Sequence, residues 1–462
     1  MPQLIIPKGL RGDSNTPKQV EVLKDCYYEA GDMPTLVTRP VSRSTSEGIG
    51  RCRGSGSFKD ELYHVSNDRL IKITLIDPLL PPTESNIAID NTIGQIVGEA
   101  NCVLVSSFTQ LMVVVQGGAI YVYDPTNGLR EITDPQIKPA VSATFDSGNF
   151  VLVPSDGDPF FWGSDVNIQA DPNNIQLEFA DAEEFTDLNK SVITRKQQIF
   201  VGGSRSVQRF QFEPTANSYV PIGGTESNYG YVGGLTDYGD TFMFLGQGAN
   251  GGFSFFVMGQ KAAPVGSKAV DEILSTYDLN ELGDIVGETF RWESQDIAVF
   301  YLPNHTLVYY GDFALWYGGT VGNGQATWNV SFMQLAYGFI WTGNIITNTI
   351  GILTNDDNED GKVIEGEIQT YFRSDPRSNI MIHRIWLMCN PGINVNNQSI
   401  GMQVSRNGLS WGPMRYRSLG VKGDTNKELS WGSPVIKSDH HVGIRFRWTG
   451  NIRLACDQVY FE

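Results

Sequence analysis

Along most of this chain, apolar residues come in short runs of four to six, each closed by glycine, asparagine, aspartate or proline. Runs of that length between turn residues predict strands and hairpins rather than helices. Runs 61–65 and 70–74 flank Ser66-Asn67-Asp68, and the run 111–115 leads through Gly117-Gly118 into 119–123. The plan repeats at 149–153 with 159–162, across Ser155-Asp156-Gly157-Asp158, and at 198–201 with 207–212. It recurs at 241–245 with 253–258, 297–302 with 306–310, and 337–341 with 350–353. The hairpin centres lie about 46 residues apart, inside the ~40–50-residue period of propeller blades.

The expected fold class is therefore all-β. An extended N-terminal segment (1–53) precedes a propeller-like body of about seven β-hairpin units (54–368). One short helix interrupts the body, with Ser267 as N-cap and an apolar stripe at Val270, Ile273 and Leu274. After Asp360-Gly361 the composition shifts toward arginine and tryptophan. Strands near 380–388, 400–405, 414–419, 427–431 and 441–448 then predict a C-terminal β-sandwich-like domain over 369–462.

Composition agrees with this pattern. Fifty of 462 residues are glycine, 11% are aromatic and only 18% are charged, as expected of many short strands joined by tight turns. The glycines have no three-residue period and no heptads run through the chain, which excludes collagen and coiled coil. No apolar stretch approaches the ~18 residues of a membrane span. Leu4-Ile5-Ile6 before Pro7 is too short for the apolar part of a signal peptide, so a protein made in a cytoplasm is expected. Cys26, Cys52, Cys102, Cys389 and Cys456 are scattered and odd in number. They fit buried apolar thiols better than a disulfide framework or a zinc site.

The charge is uneven. The net charge is −17, yet residues 371–462 hold twelve Lys and Arg against six Asp and Glu, a net of +6, which leaves −23 on residues 1–370. An acidic body argues against a protein that grips nucleic acid through phosphates. The asymmetry suggests regions with different partners, or one region docking on the other in a neighbouring copy.

Candidate chemistry is sparse. Gly246-Gln247-Gly248-Ala249-Asn250-Gly251 matches a dinucleotide fingerprint, but a strand-like run follows where a helix is needed. Residues 356–367 match a calcium-loop pattern through Asp356, Asn358, Asp360, Gly361 and Glu367, yet strand-like flanks favour an acidic hairpin turn. Ser405-Arg406-Asn407-Gly408-Leu409-Ser410-Trp411 is a shortened version of a sialidase hairpin, without its aspartate. Asp181, Glu183 and Glu184 could supply a carboxylate pair, but read more simply as a solvated loop. His64, His305, His383, His440 and His441 fall in no nucleophile signature, and adjacent His440 and His441 point to opposite faces of a strand. Arg11-Gly12-Asp13 and the sequon at Asn304 carry no meaning without secretion. No catalytic, cofactor-binding or metal-binding residue is assigned, and no enzyme is expected.

Both ends of the chain carry a resemblance. Leu10-Arg11-Gly12-Asp13-Ser14, Asp25-Cys26-Tyr27-Tyr28-Glu29 and Thr38-Arg39-Pro40 open it. Asp156-Gly157-Asp158-Pro159-Phe160-Phe161-Trp162 and Gly266-Ser267-Lys268-Ala269-Val270 continue it. Ile382-His383-Arg384-Ile385-Trp386-Leu387, Arg415-Tyr416-Arg417-Ser418-Leu419-Gly420 and Phe446-Arg447-Trp448-Thr449 close it. In this order they resemble the packaged-DNA stabilization proteins, the tail hub or nozzle subunits of short-tailed bacteriophages. Val41 departs from the pattern where a glycine often stands, and Asn407-Gly408 shortens a usual acidic turn.

The resemblance implies a non-enzymatic structural protein of the virion tail, made in the host bacterial cytoplasm. Six copies would form a ring below the portal-adaptor ring, retaining packaged DNA and later passing it out. Implied partners are further copies of itself, the portal adaptor, tail fibres or tailspikes, a distal needle or plug, and double-stranded DNA bound without sequence specificity. On this view acidic groups of residues 1–370 face the lumen, where phosphates do not stick, and the arginine-rich C-terminal region docks on neighbours. The alternatives are a glycan-binding or glycan-cleaving β-propeller, or a receptor-binding tail fibre protein.

Overall fold

The computed structural model describes residues 3–5, 11–13, 16–29, 35–180, 187–224, 227–248, 250–293, 295–310, 315–319, 327–359, 362–373, 380–389, 398–406, 410–420, 427–438, 441–455 and 458–461. Among them, each of the seven expected hairpins forms the two central strands of a four-stranded antiparallel blade. The first strands of the blades are Cys52–Phe58, Cys102–Ser106, Ala140–Asp146, Asn189–Arg195, Gly230–Tyr238, Val286–Trp292 and Val330–Ala336. Each packs beside the next, and the seventh packs back on the first. The blades therefore stand in a ring around one axis.

Hydrophobic clusters fill every gap in that ring. Tyr63 and Val65 of the first blade meet Leu111 and Val113 of the second, and Met112 and Val114 on the other face meet Phe150 and Leu152 of the third. The chain of clusters continues through blades three to seven. It closes where Leu62 and Ile73 of the first blade meet Trp341 and Ile352 of the seventh. A central strand covered on both faces needs apolar residues at every position. Leu111–Val115 is accordingly buried throughout, which is why the sequence shows apolar runs rather than alternation.

The seventh blade takes its fourth strand from the other end of the propeller. Val41–Glu47 pairs antiparallel with Thr349–Thr354, with Ser42 opposite Leu353. Ring closure is thus a hydrogen-bonded seam between residues about 300 positions apart.

The C-terminal strands form two facing sheets. In one, Ile380–Cys389 lies between Lys427–Ser438 and Gln458–Phe461, and the last of these pairs with Gln3–Ile5. In the other, His441–Thr449 lies between Glu365–Arg373 and Ser399–Ser405, with Arg415–Ser418 at the edge. Ile385, Leu387 and Trp431 of the first sheet meet Ile400, Ile444 and Phe446 of the second in one core. The second sheet is continuous with the propeller. Glu365–Arg373 pairs with Thr16–Lys24, and Lys24 pairs in parallel with Gly318 of the sixth blade, giving one ten-stranded sheet.

Three short α-helices occur among the described residues: α1 (Asp165–Ala170), α2 (Lys268–Leu274) and α3 (Leu279–Gly283). The expected helix is α2, with the Ser267 hydroxyl accepting from the Val270 amide. Helices α1 and α3, at six and five residues, are too short to leave an apolar stripe in the sequence.

Candidate functional site

Two features stand out: the cavity on the propeller axis, and a buried arginine clamp where the ring closes. The cavity holds about 1870 Å³ and is lined by the first strand of every blade. A first strand has no partner on its axial edge, so its amides and carbonyls need other acceptors and donors. Neighbouring hydroxyls supply several of them. The Ser142 hydroxyl accepts from the Val192 amide at 3.1 Å and donates to the Val192 carbonyl. Ser55 donates to the Phe332 carbonyl at 2.8 Å, and Thr144 and Thr236 bond Thr194 and Thr289 across neighbouring blades.

Glu288 is a half-buried carboxylate that bonds across this wall. Its carboxylate accepts from the Ser331 hydroxyl at 2.7 Å, from the Met333 amide at 3.0 Å and from the Phe332 amide. Those amides lie at a register shift in the seventh blade, where Phe332 has φ of +58°. Burial holds the Glu288 carboxyl above the usual range, while these hydrogen bonds oppose the shift. Glu288 thus staples the sixth blade to a bulge in the seventh. The remaining charged lining mixes signs, with Arg51, Lys190, Arg195 and Arg291 beside Asp156, Asp237 and Asp284. Spread along a strand length of ~20 Å, the cavity volume of about 1870 Å³ corresponds to a bore of about 11 Å for the centres of water molecules, or about 14 Å from wall to wall. That is narrower than a DNA duplex, whose two grooves alone are ~8.5 and ~7.5 Å deep.

The clamp centres on Arg39. Its guanidinium bonds Asp25 at 2.7 Å and Glu359 at 2.9 Å, and donates to the Pro40 carbonyl. The three side chains are 4%, 1% and 0% exposed. Glu359 also accepts from the Ser42 amide at 3.0 Å and the Trp328 indole at 2.8 Å. The guanidinium carbon lies 4.7 Å from the Trp328 ring centroid. Burial opposes the charge on Arg39, but the two carboxylates prevail and hold it more basic than a free arginine. The cluster joins the segment before the closing strand to both flanks of the seventh blade. In the sequence Asp25 and Arg39 appeared in Asp25-Cys26-Tyr27-Tyr28-Glu29 and Thr38-Arg39-Pro40, and Glu359 in an acidic run; nothing local showed that they meet.

The motifs from the sequence fall into structural places. Gly246 and Gln247 end the second strand of the fifth blade, paired with Ser254 and Phe253, and the residues after them turn into Phe253–Met258; residue 249 lies outside the described residues. The described residues of 356–367 form no cluster of carboxylates fit to hold a metal ion. Glu359 belongs to the clamp, the Asp357 carboxylate accepts from the Asn451 amide, and Glu367 faces Arg445 at 3.4 Å and Arg447. A small hairpin, Asn358–Glu359 with Lys362–Val363, spans this stretch, and residues 360 and 361 lie outside the described residues. Trp411 stacks under Arg445 at 4.0 Å, beside Tyr371; residues 407–409 lie outside the described residues. So do Asp181, Glu183, Glu184, His440 and the side chain of His441.

His64 is buried in the first blade, where desolvation lowers its pKa to about 4. His305 bonds the Tyr277 hydroxyl, and His383 is exposed. Cys26, Cys52 and Cys102 are buried cysteines outside any disulfide, the Cys26 thiol donating to the Glu367 carbonyl at 3.8 Å, with burial pushing Cys52 up to about 12 and Cys102 to about 11; the side chains of Cys389 and Cys456 lie outside the described residues. No helix of the described residues is long and apolar enough to cross a membrane.

Comparison with known proteins places this architecture. The tail hub protein gp10 of Salmonella phage P22 is 24% identical over 161 residues, which is 33% of this chain and 34% of that protein. The match thus spans about a third of the relative's length. Among solved structures, the extracellular domain of a two-component system protein from B. thetaiotaomicron aligns at 12% identity and a TM-score of 0.42. It covers 74% of this chain and 41% of that one. The Neurospora crassa Pan2 WD40 domain aligns at 9% identity and 0.40, covering 65% and 89%. The profile of the family described as Bacteriophage P22 Gp10, β-propeller, matches residues 33–363. That range begins just before Arg39 and ends with the seventh blade and its following hairpin, and the chain belongs to this family.

Proposed function

We propose that this chain is a non-enzymatic structural subunit of a short-tailed phage tail. It forms a hexameric hub below the portal-adaptor ring that retains packaged DNA and provides the channel for its ejection. Family membership is the observation that carries this reading, and the P22 relative is itself named a tail hub protein. Further support comes from the build of the molecule. The ring of blades, the clamp at its seam and the ten-stranded sheet make one stiff body, as a load-bearing tube wall requires. The axial bore is too narrow for a duplex, so the DNA passage lies between subunits rather than through a propeller. Acidic groups of residues 1–370 would face that passage, and the basic C-terminal region would face neighbouring copies.

The test uses particles lacking this protein. Their packaged DNA should be open to nuclease and become protected when purified protein is added back, at about six copies per particle. Particles that hold their DNA without the protein, yet fail to adsorb to cells, would overturn the proposal in favour of a receptor-binding role.

A further inference from the structure

A repeat fold is most informative where the repeat breaks. In six blades, the first and second strands are joined by a two-residue turn whose first residue has a positive φ: Lys59, Ser147, Lys196, Gly239, Glu293 and Tyr337. The second blade instead has the loop 107–110, with Phe108 at its tip, 85% exposed. The buried Asp165 carboxylate fixes this loop, accepting from the Ser107 and Thr109 hydroxyls at 2.8 Å and from the Gln110 amide group at 2.7 Å.

The first blade departs too. Its third and fourth strands are joined by loop 76–86, which carries Ile76, Leu80 and the 92%-exposed Leu79. Here Asn86 is the brace. Its side-chain amide donates to the carbonyls of Asp77, Leu80 and Pro81, and its oxygen accepts from the Asp77 amide. In an antiparallel meander these two kinds of turn lie at the same end of a blade. Adjacent blades therefore present four exposed apolar side chains on braced loops at one face of the ring, with Phe108 edge-on to Phe145 of the third blade at 6.0 Å. Exposed Asp60 and Glu84 flank them, without ion-pair partners among the described residues. Residues 57–100 as a whole carry seven acids against three bases.

A surface of opposite character lies on the C-terminal sandwich. The edge strand Arg415–Ser418 is exposed at every position. Arg415 donates to the Gly432 carbonyl at 3.1 Å and Arg417 to the Ser430 carbonyl at 2.8 Å. Backbone contacts thus hold both guanidinium groups in place, and neither has a carboxylate partner among the described residues. Tyr416 lies between them in the strand but leaves its opposite face, and is 61% exposed. Aromatic and arginine side chains held rigid before binding are the usual anchors of an interface.

We propose that these two surfaces bind each other between copies of this chain. The Arg415-Tyr416-Arg417 edge of one copy seats on the Leu79, Leu80 and Phe108 face of the next, with the two arginines against Asp60 and Glu84. The occupant is a second copy because the charges complement within one sequence, +6 on residues 371–462 against −23 on the rest. The contact joins two different patches, so it propagates head to tail and closes into a ring when the rotation allows. It rests on the hub reading and names the surfaces that reading needs.

Two measurements test it, on purified protein and on reconstituted particles. Chains carrying Leu79→Cys and chains carrying Tyr416→Cys are mixed and oxidised; a disulfide-linked dimer is expected from the mixture and from neither chain alone. Separately, Arg415→Glu with Arg417→Glu should weaken assembly at least tenfold, and Asp60→Lys with Glu84→Lys should restore it in the mixed ring. A ring of unchanged mass from the arginine-reversed chain, with no cross-link from the mixture, would overturn this contact and leave the hub reading standing. A wild-type chain present as one isolated copy per particle would overturn both.

Discussion

Replacing Arg39 with methionine keeps most of the side-chain volume and removes the charge that joins Asp25 to Glu359. Both carboxylates would remain buried, at 1% and 0% exposure, with no cation to offset their desolvation. Removing one partner of a buried ion pair costs about 3–5 kcal/mol. Loss of the Trp328 contact adds up to about 2 kcal/mol for a desolvated cation over an aromatic ring. The lower figure alone is roughly a hundredfold change in the equilibrium for opening the seam. Opening should be local, because the clamp holds the strand Val41–Glu47 against the seventh blade through the Ser42 amide.

Hydrogen exchange read by mass spectrometry is therefore the assay. The 41–47 and 349–354 amides should lose roughly a hundredfold or more in protection while those of 111–115 keep theirs. Adding Glu359→Gln to Arg39→Met should recover part of the loss. Arg43→Met, which breaks a half-exposed pair with Asp356 at 3.8 Å, serves as control and should change stability by less than ~0.5 kcal/mol. Equal effects from Arg39→Met and Arg43→Met, or simple additivity of Arg39→Met with Glu359→Gln, would refute the reasoning.

Other substitutions probe other parts of the fold. His64 has its pKa lowered to about 4, so on acidification the unfolded chain takes up a proton near its ordinary value of 6.5 while the folded chain does not. Stability is lost between pH 6.5 and 4, by up to about 3 kcal/mol from this residue. A His64→Gln chain should show a flatter urea-midpoint profile over that window; parallel profiles would contradict the burial. At Gly366 a Cβ would lie 2.2 Å from the Trp448 ring, so Gly366→Ala should cost at least ~1–3 kcal/mol by overpacking and lower the melting temperature clearly. At Gly283 a Cβ meets nothing within 4 Å. Gly283→Ala at the end of α3 should be neutral or stabilising by up to ~1 kcal/mol, and a lower melting temperature there would contradict the local geometry.

How much of this was legible in the sequence depends on the range of the interactions. The seven central hairpins could be read because each is local: two apolar runs and a turn chemistry within about fifteen residues. The outer strands are half-exposed, as in the alternating burial at the start of Ile87–Gln95, and leave a weaker trace. The closing strand Val41–Glu47 was read as part of an extended N-terminal segment, because nothing in Val-Ser-Arg-Ser-Thr-Ser-Glu says that its partner lies about 300 residues away. The clamp had the same fate. Arg39, Asp25 and Glu359 are ordinary charged residues until the ring brings them together, and burial reverses the usual expectation that charges lie on a surface. Glu359 lay within, and Glu367 closed, the run that suggested calcium, because an acidic run looks alike whether its oxygens face a metal, water or arginine.

The same long-range links bear on the proposed hub. A propeller can be closed by any strand that completes its last blade, but here the closing strand comes from a segment that also feeds the sandwich. Thr16–Lys24 pairs with Glu365–Arg373, Cys26–Glu29 pairs with Thr35–Thr38, and the latter pairs with Arg453–Ala455. The indole of Trp448 donates to the Thr38 hydroxyl one residue before Arg39, and that hydroxyl accepts from the Ile452 amide at 2.9 Å. A displacement of the basic sandwich by a neighbouring copy would thus pull directly on the Arg39 clamp and the seam behind it. Subunit contact and ring closure then share one set of buried bonds, so Arg39→Met should also weaken assembly although Arg39 itself touches no surface. Assembly by the Arg39→Met chain at the wild-type concentration, with its seam amides deprotected, would show that the two are uncoupled.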